Sequence, residues 1–440
     1  MPPPAFDALF ERLQANGRLL PVLQQPTEVA GEKYRHWDTL RHLAPPEGLT
    51  PEEWWFAIKF ARTRLTRPLP LTDTSGRPFT YAMPDEVLRL LHYIDQRAAG
   101  EVAMPEVVTE SEGAKRRYLV NSLIEEAIRS SQLEGAATSR KVAEEMLRSG
   151  REPVNRSEQM ILNNYRALEY MRGQVDEPMS PATMFTLHRI LTEGTLDNPD
   201  AAGRLQRPDE DRVGVYDRMT SRLVHTPPPA DQLPERLDAM CRFANGEDDP
   251  KSFIHPVVRS VLLHFWMGYD HPFEDGNGRT ARALFYWSMA HQKYWLTEYL
   301  SISRILRLAP SQYMDAYLYT ETDDGDTTYF ISYQLQVIQR SIEDLYGYLR
   351  RKAKEARQAE ALIRTAEAYN HRQLALLSGA LRNGHRVYTI ESHRKSHRVS
   401  YQTARSDLLD LSAKGLLQQR RTGHKFVFTP VDDLAQQLGS

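Results

Sequence analysis

The chain has 440 residues, 41% of them apolar, which is enough for roughly two to four domains with real cores and excludes bulk disorder. Its 56 Lys+Arg against 58 Asp+Glu leave a formal charge of −2, so no global field draws it to nucleic acid or membrane, and any such partner must be met by a local patch. One cysteine, Cys241, excludes an internal disulfide framework and fits a reducing compartment.

The opening "MPPPAFDALFERLQANG" lacks the basic start and apolar run of a signal peptide. The most apolar long segment, "PVVRSVLLHFWMGYDH", is broken by Arg259 and is too short to span a bilayer. A cytoplasmic protein with no membrane contact is expected. Helical periodicity dominates and strand-like alternation is confined to short pieces, so the expected class is mainly α.

Residues 1–110 hold most of the early prolines and read as an N-terminal accessory domain. Thr50 caps a helix that has Pro51 at its first position, and a second helix opens at Asp85 and ends at Gly100. Over 111–150, "AKRRYLVNSLIEEAIRSSQLEG" is a helix with Leu123, Ile124, Ala127 and Ile128 on one face and Gly135 as its terminator. The span 151–350 continues with "SEQMILNNYRALEYMRG" and with "SPATMFTLHRILTEG", where Ser180 caps and Pro181 leads. Residues 212–226 break the pattern and read as a hairpin with an exposed edge, stopped by three prolines. Helices resume in "ADQLPERLDAMCRFANG", "HPVVRSVLLHFWMGYD" and "RTARALFYWSMAHQKYW". A charged helical linker covers 351–364. Residues 365–440 then run helix, short strand, two helices and hairpin, which is the order of a winged helix-turn-helix.

The segment from His271 to Arg282, "HPFEDGNGRTAR", joins two of these helices. Gly276 and Gly278 let backbone approach a ligand closely. The chain then enters a helix, whose free N–H groups and positive dipole end attract anions. Arg279 and Arg282 lie one turn apart on that helix, and two guanidinium forks suit several phosphates rather than one. A carboxylate there, Asp275, would be repelled unless a cation intervened, so it reads as a Mg²⁺ ligand bridging phosphate oxygens. The His271 imidazole is placed to take a proton from an attacking hydroxyl. Phe273 turns inward as an anchor. Glu274 faces solvent or serves as a second metal ligand.

These twelve residues resemble the full signature of Fic-domain proteins, His-x-Phe-x-(Asp/Glu)-Gly-Asn-Gly-Arg-x-x-Arg, without departure at any fixed position. The likeness extends to "IHPVVRSVLLHFWMGYD" and to "HTPPPADQLPERL", covering roughly residues 115–345. It implies a Fic-type helical core with a small β-hairpin flap. The implied reaction moves AMP from ATP to a Ser, Thr or Tyr hydroxyl of a protein target, the chain itself being one candidate. His271 would be the general base, and Asp275 would hold Mg²⁺ against the α- and β-phosphates. Gly276, Asn277 and Gly278 would form the anion hole, with Asn277 on the α-phosphate. Arg279 would meet the β-phosphate and Arg282 the γ-phosphate. The related phosphotransferase subgroup replaces the Gly-Asn-Gly pattern, so the intact pattern argues against that chemistry. Other Fic proteins move UMP, GMP or phosphocholine, so ATP comes from the resemblance and not from these residues.

A second motif, "SSQLEG" from Ser130 to Gly135, matches the inhibitory motif of the same family, (Ser/Thr)-x-x-x-Glu-(Gly/Asn). Glu134 falls in the last turn of its helix, where the dipole disfavours an anion, so a cation elsewhere should compensate. The resemblance implies a pair with Arg282 that occupies the γ-phosphate position and holds ATP unproductively, with Ser130 orienting the Glu134 carboxylate. In some such proteins the same glutamate positions a water that removes AMP, and that bifunctional reading stays open. Related proteins also use a homodimer to set inhibition.

The 212–226 hairpin matches the family's flap by position, where an edge strand registers a target segment; read alone it is a plain surface hairpin. His255, His264, His271 and His291 fit no zinc spacing, and His255 and His264 read as helix-packing residues. From His385 to Lys425, 9 Lys+Arg face 3 Asp+Glu. Arg394, Lys395, Arg398 and Arg405 flank the expected recognition helix, and Arg420, Arg421 and Lys425 lie on the expected wing. DNA contact and protein contact both fit this footprint. A DNA-binding regulator with a Fic core is the rival to the enzyme.

Overall fold

The structure is a computed structural model that describes residues 2–24, 33–99, 112–216, 222–247, 253–365, 369–382, 387–422, 425–431 and 434–438. Among the described residues it is mainly helical, with three small antiparallel sheets. The chain divides into two compact units, one of Met1–Val102 with Tyr118–Glu343, the other of Ala103–Arg117 with Asp344–Ser440. No helix among the described residues is long and apolar enough to cross a membrane.

The first unit begins with α1 (Phe6–Ala15) and α2 (Pro51–Arg62). Thr50 caps α2 in a full capping box with Glu53, with Pro51 in the first turn as the sequence predicts. A hydrophobic cluster around Leu13, Val22, Trp55 and Phe56 holds these pieces together. Strands β1 (Arg67–Thr72) and β2 (Pro78–Tyr81) then form an antiparallel hairpin, followed by α3 (Asp85–Ala98). That hairpin was not legible in the sequence, because Pro68, Pro70 and Pro78 mask alternation and the register shifts between Pro68 and Thr72. The N-terminal residues share polar contacts with the rest of the unit: Arg62 Nη1 donates to Tyr329 Oη at 2.8 Å, and Lys59 pairs with Asp323 at 2.6 Å.

The rest of this unit positions the motif. α4 (Glu112–Leu133) buries Leu123, Ile124, Ala127 and Ile128, the face read from the sequence, and Gly135 follows with φ +98°. Then come α5 (Arg140–Ser149), α6 (Arg156–Gly173) and α7 (Pro181–Thr192), capped by Ser139, Asn155 and Ser180. The hairpin expected at 212–226 is present as β3 (Val215–Tyr216) paired with β4 (Leu223–His225). α8 (Leu233–Ala244), α9 (Pro256–Asp270) and α10 (Asn277–His291) complete the centre. α9 is buried nearly all round, with Val257, Val261, Leu263, Phe265 and Met267 sealed from solvent, so it is the central helix of the unit. His255 caps α9 and bonds Asp95, and buried His264 bonds Tyr313 Oη at 2.7 Å; both serve packing, as read from the sequence. α11 (Ile302–Leu306) and α12 (Pro310–Thr322) lead to the long α13 (Thr328–Thr365), one helix through the segment read as a linker.

The second unit contains α14 (His371–Arg382), β5 (Tyr388–Thr389), α15 (Ile390–His397), α16 (Tyr401–Ala413), β6 (Leu417–Thr422) and β7 (Lys425–Pro430). The sheet order is β5-β7-β6, over a core of Leu377, Ala404, Leu408, Leu411 and Phe428. This is the element order read from residues 365–440.

Candidate active site

The loop from His271 to Gly276 turns the chain between α9 and α10. Two backbone features make the turn. His271 closes α9 in the left-handed region, at φ 45° and ψ 50°, and Gly276 opens α10 at φ 84°. Left-handed backbone is costly for a residue with a Cβ, so the surroundings must hold His271 there. They do so from several directions. Arg212 Nη2 and Nη1 donate to the carbonyls of Asp270 and His271 at 2.5 and 2.9 Å. The Asp270 carboxylate takes Trp266 Nε1–H and pairs with Arg236 at 2.7 Å. Phe273 is fully buried, as expected, and stacks on His188 at 3.8 Å.

The His271 ring donates from Nδ1 to the Gly268 carbonyl at 3.2 Å. A carbonyl can only accept, so Nδ1 carries the proton and Nε2 keeps its lone pair. His271 keeps some exposed surface, yet its surroundings are close enough that burial pushes its pKa down to about 4. His271 is therefore neutral at pH 7 and able to accept a proton.

Asn277 also holds the loop itself. Its buried side chain staples the loop: Oδ1 accepts the Phe273 N–H at 2.9 Å, and Nδ2 donates to the Phe273 carbonyl at 2.8 Å. The amide is spent on the backbone, so what Asn277 can offer an anion is its own main-chain N–H at the start of α10. His188 is a residue the sequence reading missed. Its Nε2 donates to the Asp275 carbonyl at 2.8 Å and its Nδ1 accepts the Gly203 N–H at 2.9 Å. Burial lowers its pKa to about 4, consistent with that neutral tautomer. It lies 87 residues from Asp275 within an ordinary helical pattern, so nothing local marks it.

The two motif arginines are both buried. Arg279 donates from Nη1 to the Leu191 carbonyl at 2.9 Å and faces Asp275 Oδ2 at 3.3 Å, while its Nε has no partner among the described residues. Asp275 itself is about half exposed and takes the Gly276 N–H on Oδ1 at 2.6 Å. Arg282 is held by the end of α4. Its Nε donates to Ser130 Oγ at 2.7 Å, and its Nη2 donates to the Ser130 carbonyl at 3.1 Å and to Glu134 Oε1 at 2.8 Å. Burial alone would lower the Arg282 pKa; Glu134, together with Tyr313 and Glu126, more than offsets it and keeps the guanidinium charged. Ser130 thus acts on the arginine side of the pair, where the sequence reading had it orienting the glutamate. Arg282 also caps a terminal carbonyl of α4, the compensation that a carboxylate at a helix C-terminus calls for.

The Glu134 carboxylate lies directly over the first turn of α10. A Cβ placed on Gly278 would come within 2.2 Å of Glu134 Oε1 and 3.2 Å of Arg282 Nη1. Gly278 is small because an anion needs to come down on the helix start, and here Glu134 is that anion.

A family model for the Fic/DOC family matches residues 178–289, which include α7, the hairpin and the whole motif. This chain carries a Fic domain. "Protein adenylyltransferase Fic" from Nematostella vectensis is 30% identical over 127 residues, 28% of this chain and 26% of that protein. The protein of the same name from Drosophila melanogaster is 27% identical over 183 residues, 40% of this chain and 34% of that protein. The matched region thus spans only about a quarter to a third of these curated relatives. A Fic family protein from Desulfovibrio desulfuricans G20 shares the fold, with a TM-score of 0.52 at 17% identity over 79% of this chain and 97% of that one. Within the Fic domain the motif residues converge on one place, the start of α10. Ser130, in the last turn of α4, and Glu134, just past its end, reach it from outside the matched residues.

Proposed function

We propose that the chain is a protein adenylyltransferase that moves AMP from ATP to a Ser, Thr or Tyr hydroxyl of a protein, restrained by Glu134. The observation that carries this reading is the stack at the start of α10: a neutral His271 with a free Nε2, the Gly276–Gly278 turn, and two buried arginines. The curated relatives, named as protein adenylyltransferases, support it. ATP fits the donor set, because the unpartnered Nε of buried Arg279 and the α10 N-terminus both call for anionic oxygens. Mg²⁺ would arrive with the nucleotide, held by the half-exposed Asp275 carboxylate and the phosphates themselves; one carboxylate plus phosphate oxygens is an ordinary Mg²⁺ set.

In this reading the target hydroxyl gives its proton to His271 Nε2 as its oxygen bonds to the α-phosphorus. The bond between that phosphorus and the bridging oxygen to the β-phosphate breaks, and pyrophosphate leaves. The main-chain N–H groups of Asn277 and Gly278 stabilise the charge on the α-phosphate oxygens. Arg279 holds the β-phosphate. Arg282 would hold the γ-phosphate, but Glu134 occupies it. The β3–β4 hairpin is the edge on which a target segment can be registered.

The test is intact-mass spectrometry of wild type and Glu134→Gly after incubation with Mg-ATP, with and without a mixture of Ser-, Thr- and Tyr-containing peptides. AMP adducts on chain or peptides, larger in the variant, support the transferase and its brake. Adducts in neither protein would overturn the transferase reading. Loss of AMP from pre-modified peptides in wild type but not in the variant would assign Glu134 the AMP-removing role as well.

A second reading concerns the second unit, proposed as a winged helix-turn-helix that contacts DNA. Tyr401, Gln402 and Arg405 are exposed at the start of α16, and Arg420 and Arg421 are exposed on β6. A polar, basic helix start beside a basic hairpin is the presentation by which such modules meet the duplex.

A further inference from the structure

The last turn of α9 delivers His271, and an account of its carbonyls shows what steadies it. Met267 O accepts the His271 N–H at 3.2 Å, and Gly268 O accepts the His271 ring. Asp270 O and His271 O go to Arg212. Tyr269 O accepts from His225 Nε2 at 2.7 Å. Two of these donors flank the hairpin: Arg212 precedes β3, and His225 is the last residue of β4.

His225 differs from Arg212 in also binding a third element. Its Nδ1 lies 2.7 Å from Glu321 Oε2 on α12, and its side chain is only 8% exposed. Nε2 must carry a proton, since the Tyr269 carbonyl can only accept. A bare Nδ1 lone pair against a carboxylate would be repulsive, so a second proton lies between Nδ1 and Glu321. The couple therefore ties β4, the α9 terminus and α12 together through two charge-assisted or short bonds. The Tyr269 ring packs beside the imidazole at 4.7 Å. In register, His225 faces Val215 across the hairpin, while the next pair outward, Tyr216 and Leu223, is exposed.

Resting on the adenylyltransferase reading, we infer that His225 and Glu321 are positioning residues that hold β4 in register with His271, so that a target chain laid on the hairpin presents its hydroxyl to Nε2. Neither side chain has a role in binding the nucleotide. The couple should matter for a protein acceptor and not for water: Arg212 still holds the Asp270 and His271 carbonyls in both variants, so the base keeps its place, and water needs no strand to align it. His225→Gln keeps one donor, and Glu321→Gln keeps an acceptor for Nδ1, so the two variants loosen the tie without emptying the core.

The experiment uses the full chain carrying Glu134→Gly as parent and compares two acceptors for Mg-ATP. One is a synthetic peptide mixture containing Ser, Thr and Tyr, followed as AMP–peptide. The other is water, followed as release of AMP and pyrophosphate. The expected result for His225→Gln and for Glu321→Gln is a fall of about tenfold or more in peptide kcat/KM, carried by KM. The water reaction should stay within about twofold, and the double variant should be no worse than either single, because the residues act as one unit. Equal loss with both acceptors, or no loss with peptide, would overturn the inference. A parent inactive with both acceptors would overturn the transferase reading itself, and the inference with it.

Discussion

Arg282 and Glu134 stand 148 residues apart in the sequence, and their side chains meet at 2.8 Å over the first turn of α10. The pair is nearly buried on the arginine side, 2% exposed, and partly open on the glutamate side, 24% exposed. In the proposed reading, a phosphate that takes the arginine does so by displacing the carboxylate. Glu134→Gly should therefore raise AMP transfer on the order of tenfold or more, because it increases the fraction of molecules competent for the productive pose. It should also lower the melting temperature, since Arg282 loses the charge that offsets its burial. Mg-ATP should restore more stability to the variant than to wild type. Calorimetry and transfer assays on both proteins check this; a variant no more active than wild type would sink the restraint.

His271 sits at the other end of the same loop. His271→Ala should lower transfer by about 10²- to 10⁴-fold, the usual contribution of a positioned base, while ATP binding by calorimetry persists. The pH dependence has a definite sign. Burial depresses the pKa to about 4, so the neutral, competent form persists as pH falls from 7 and is lost only near the depressed value. The acid limb of kcat/KM, which reports the free enzyme, should lie near pH 4–5 rather than 6–7. Bound phosphates add negative charge nearby, so the limb of kcat should lie higher. An acid limb of kcat/KM at pH 6–7 would show that the free-enzyme ring is not so enclosed.

The sequence made the local part of this site legible and left the long-range part dark. Gly276, Gly278, Arg279, Arg282 and Asp275 fall within one short segment, and each residue type states its chemistry there. Glu134 was legible through its motif: a carboxylate at a helix end calls for a cation, and the family resemblance pointed to Arg282 as that cation. Arg212, His188 and Arg236 were not, because each acts on the loop or its flank from another element, and within that element each looks like an ordinary polar residue; His225, which ties the hairpin to α9, was dark for the same reason. The side-chain partners of Asn277 and Ser130 were dark for a related reason: type and spacing give the neighbourhood, but which of several partners a side chain takes depends on packing. The β1–β2 hairpin escaped because proline removes both the ladder donor and the alternation by which strands are read.

Asn277 supplies a test of that difference. Its amide makes both bonds to the Phe273 backbone in a buried setting, so Asn277→Ala leaves an N–H and a C=O unsatisfied. The cost should be about 2–4 kcal/mol of stability, read as a lower denaturant midpoint at unchanged slope. Transfer activity should fall with it, because the turn that orients His271 loosens. Asn277→Asp keeps the acceptor for the Phe273 N–H but sets a carboxylate against the Phe273 carbonyl, so it should rescue poorly. If Asn277→Ala instead kept full stability and lost only ATP affinity, the side chain would be a phosphate ligand and the loop would be held by something else.

The second unit gives a prediction that separates its arginines. Arg394 is paired with Glu391 at 2.7 Å, and Lys395 lies 3.8 Å from the same carboxylate, so part of the basic excess from His385 to Lys425 is neutralised within α15. Arg405, Arg420 and Arg421 are exposed on α16 and β6. If this face meets DNA, the full chain should bind duplex at low salt with an affinity that falls steeply as salt rises, by slightly less than one power of concentration per phosphate neutralised. Arg405→Ala and Arg420→Ala/Arg421→Ala should each weaken binding and flatten that salt slope. Arg394→Ala should change it little, because its charge is already engaged by Glu391. Fluorescence anisotropy with a labelled duplex at several salt concentrations reads all of these. No binding at low salt would end the DNA reading and leave protein contact as the use of this surface. Equal loss in Arg394→Ala would mean that the Glu391 pair opens on binding.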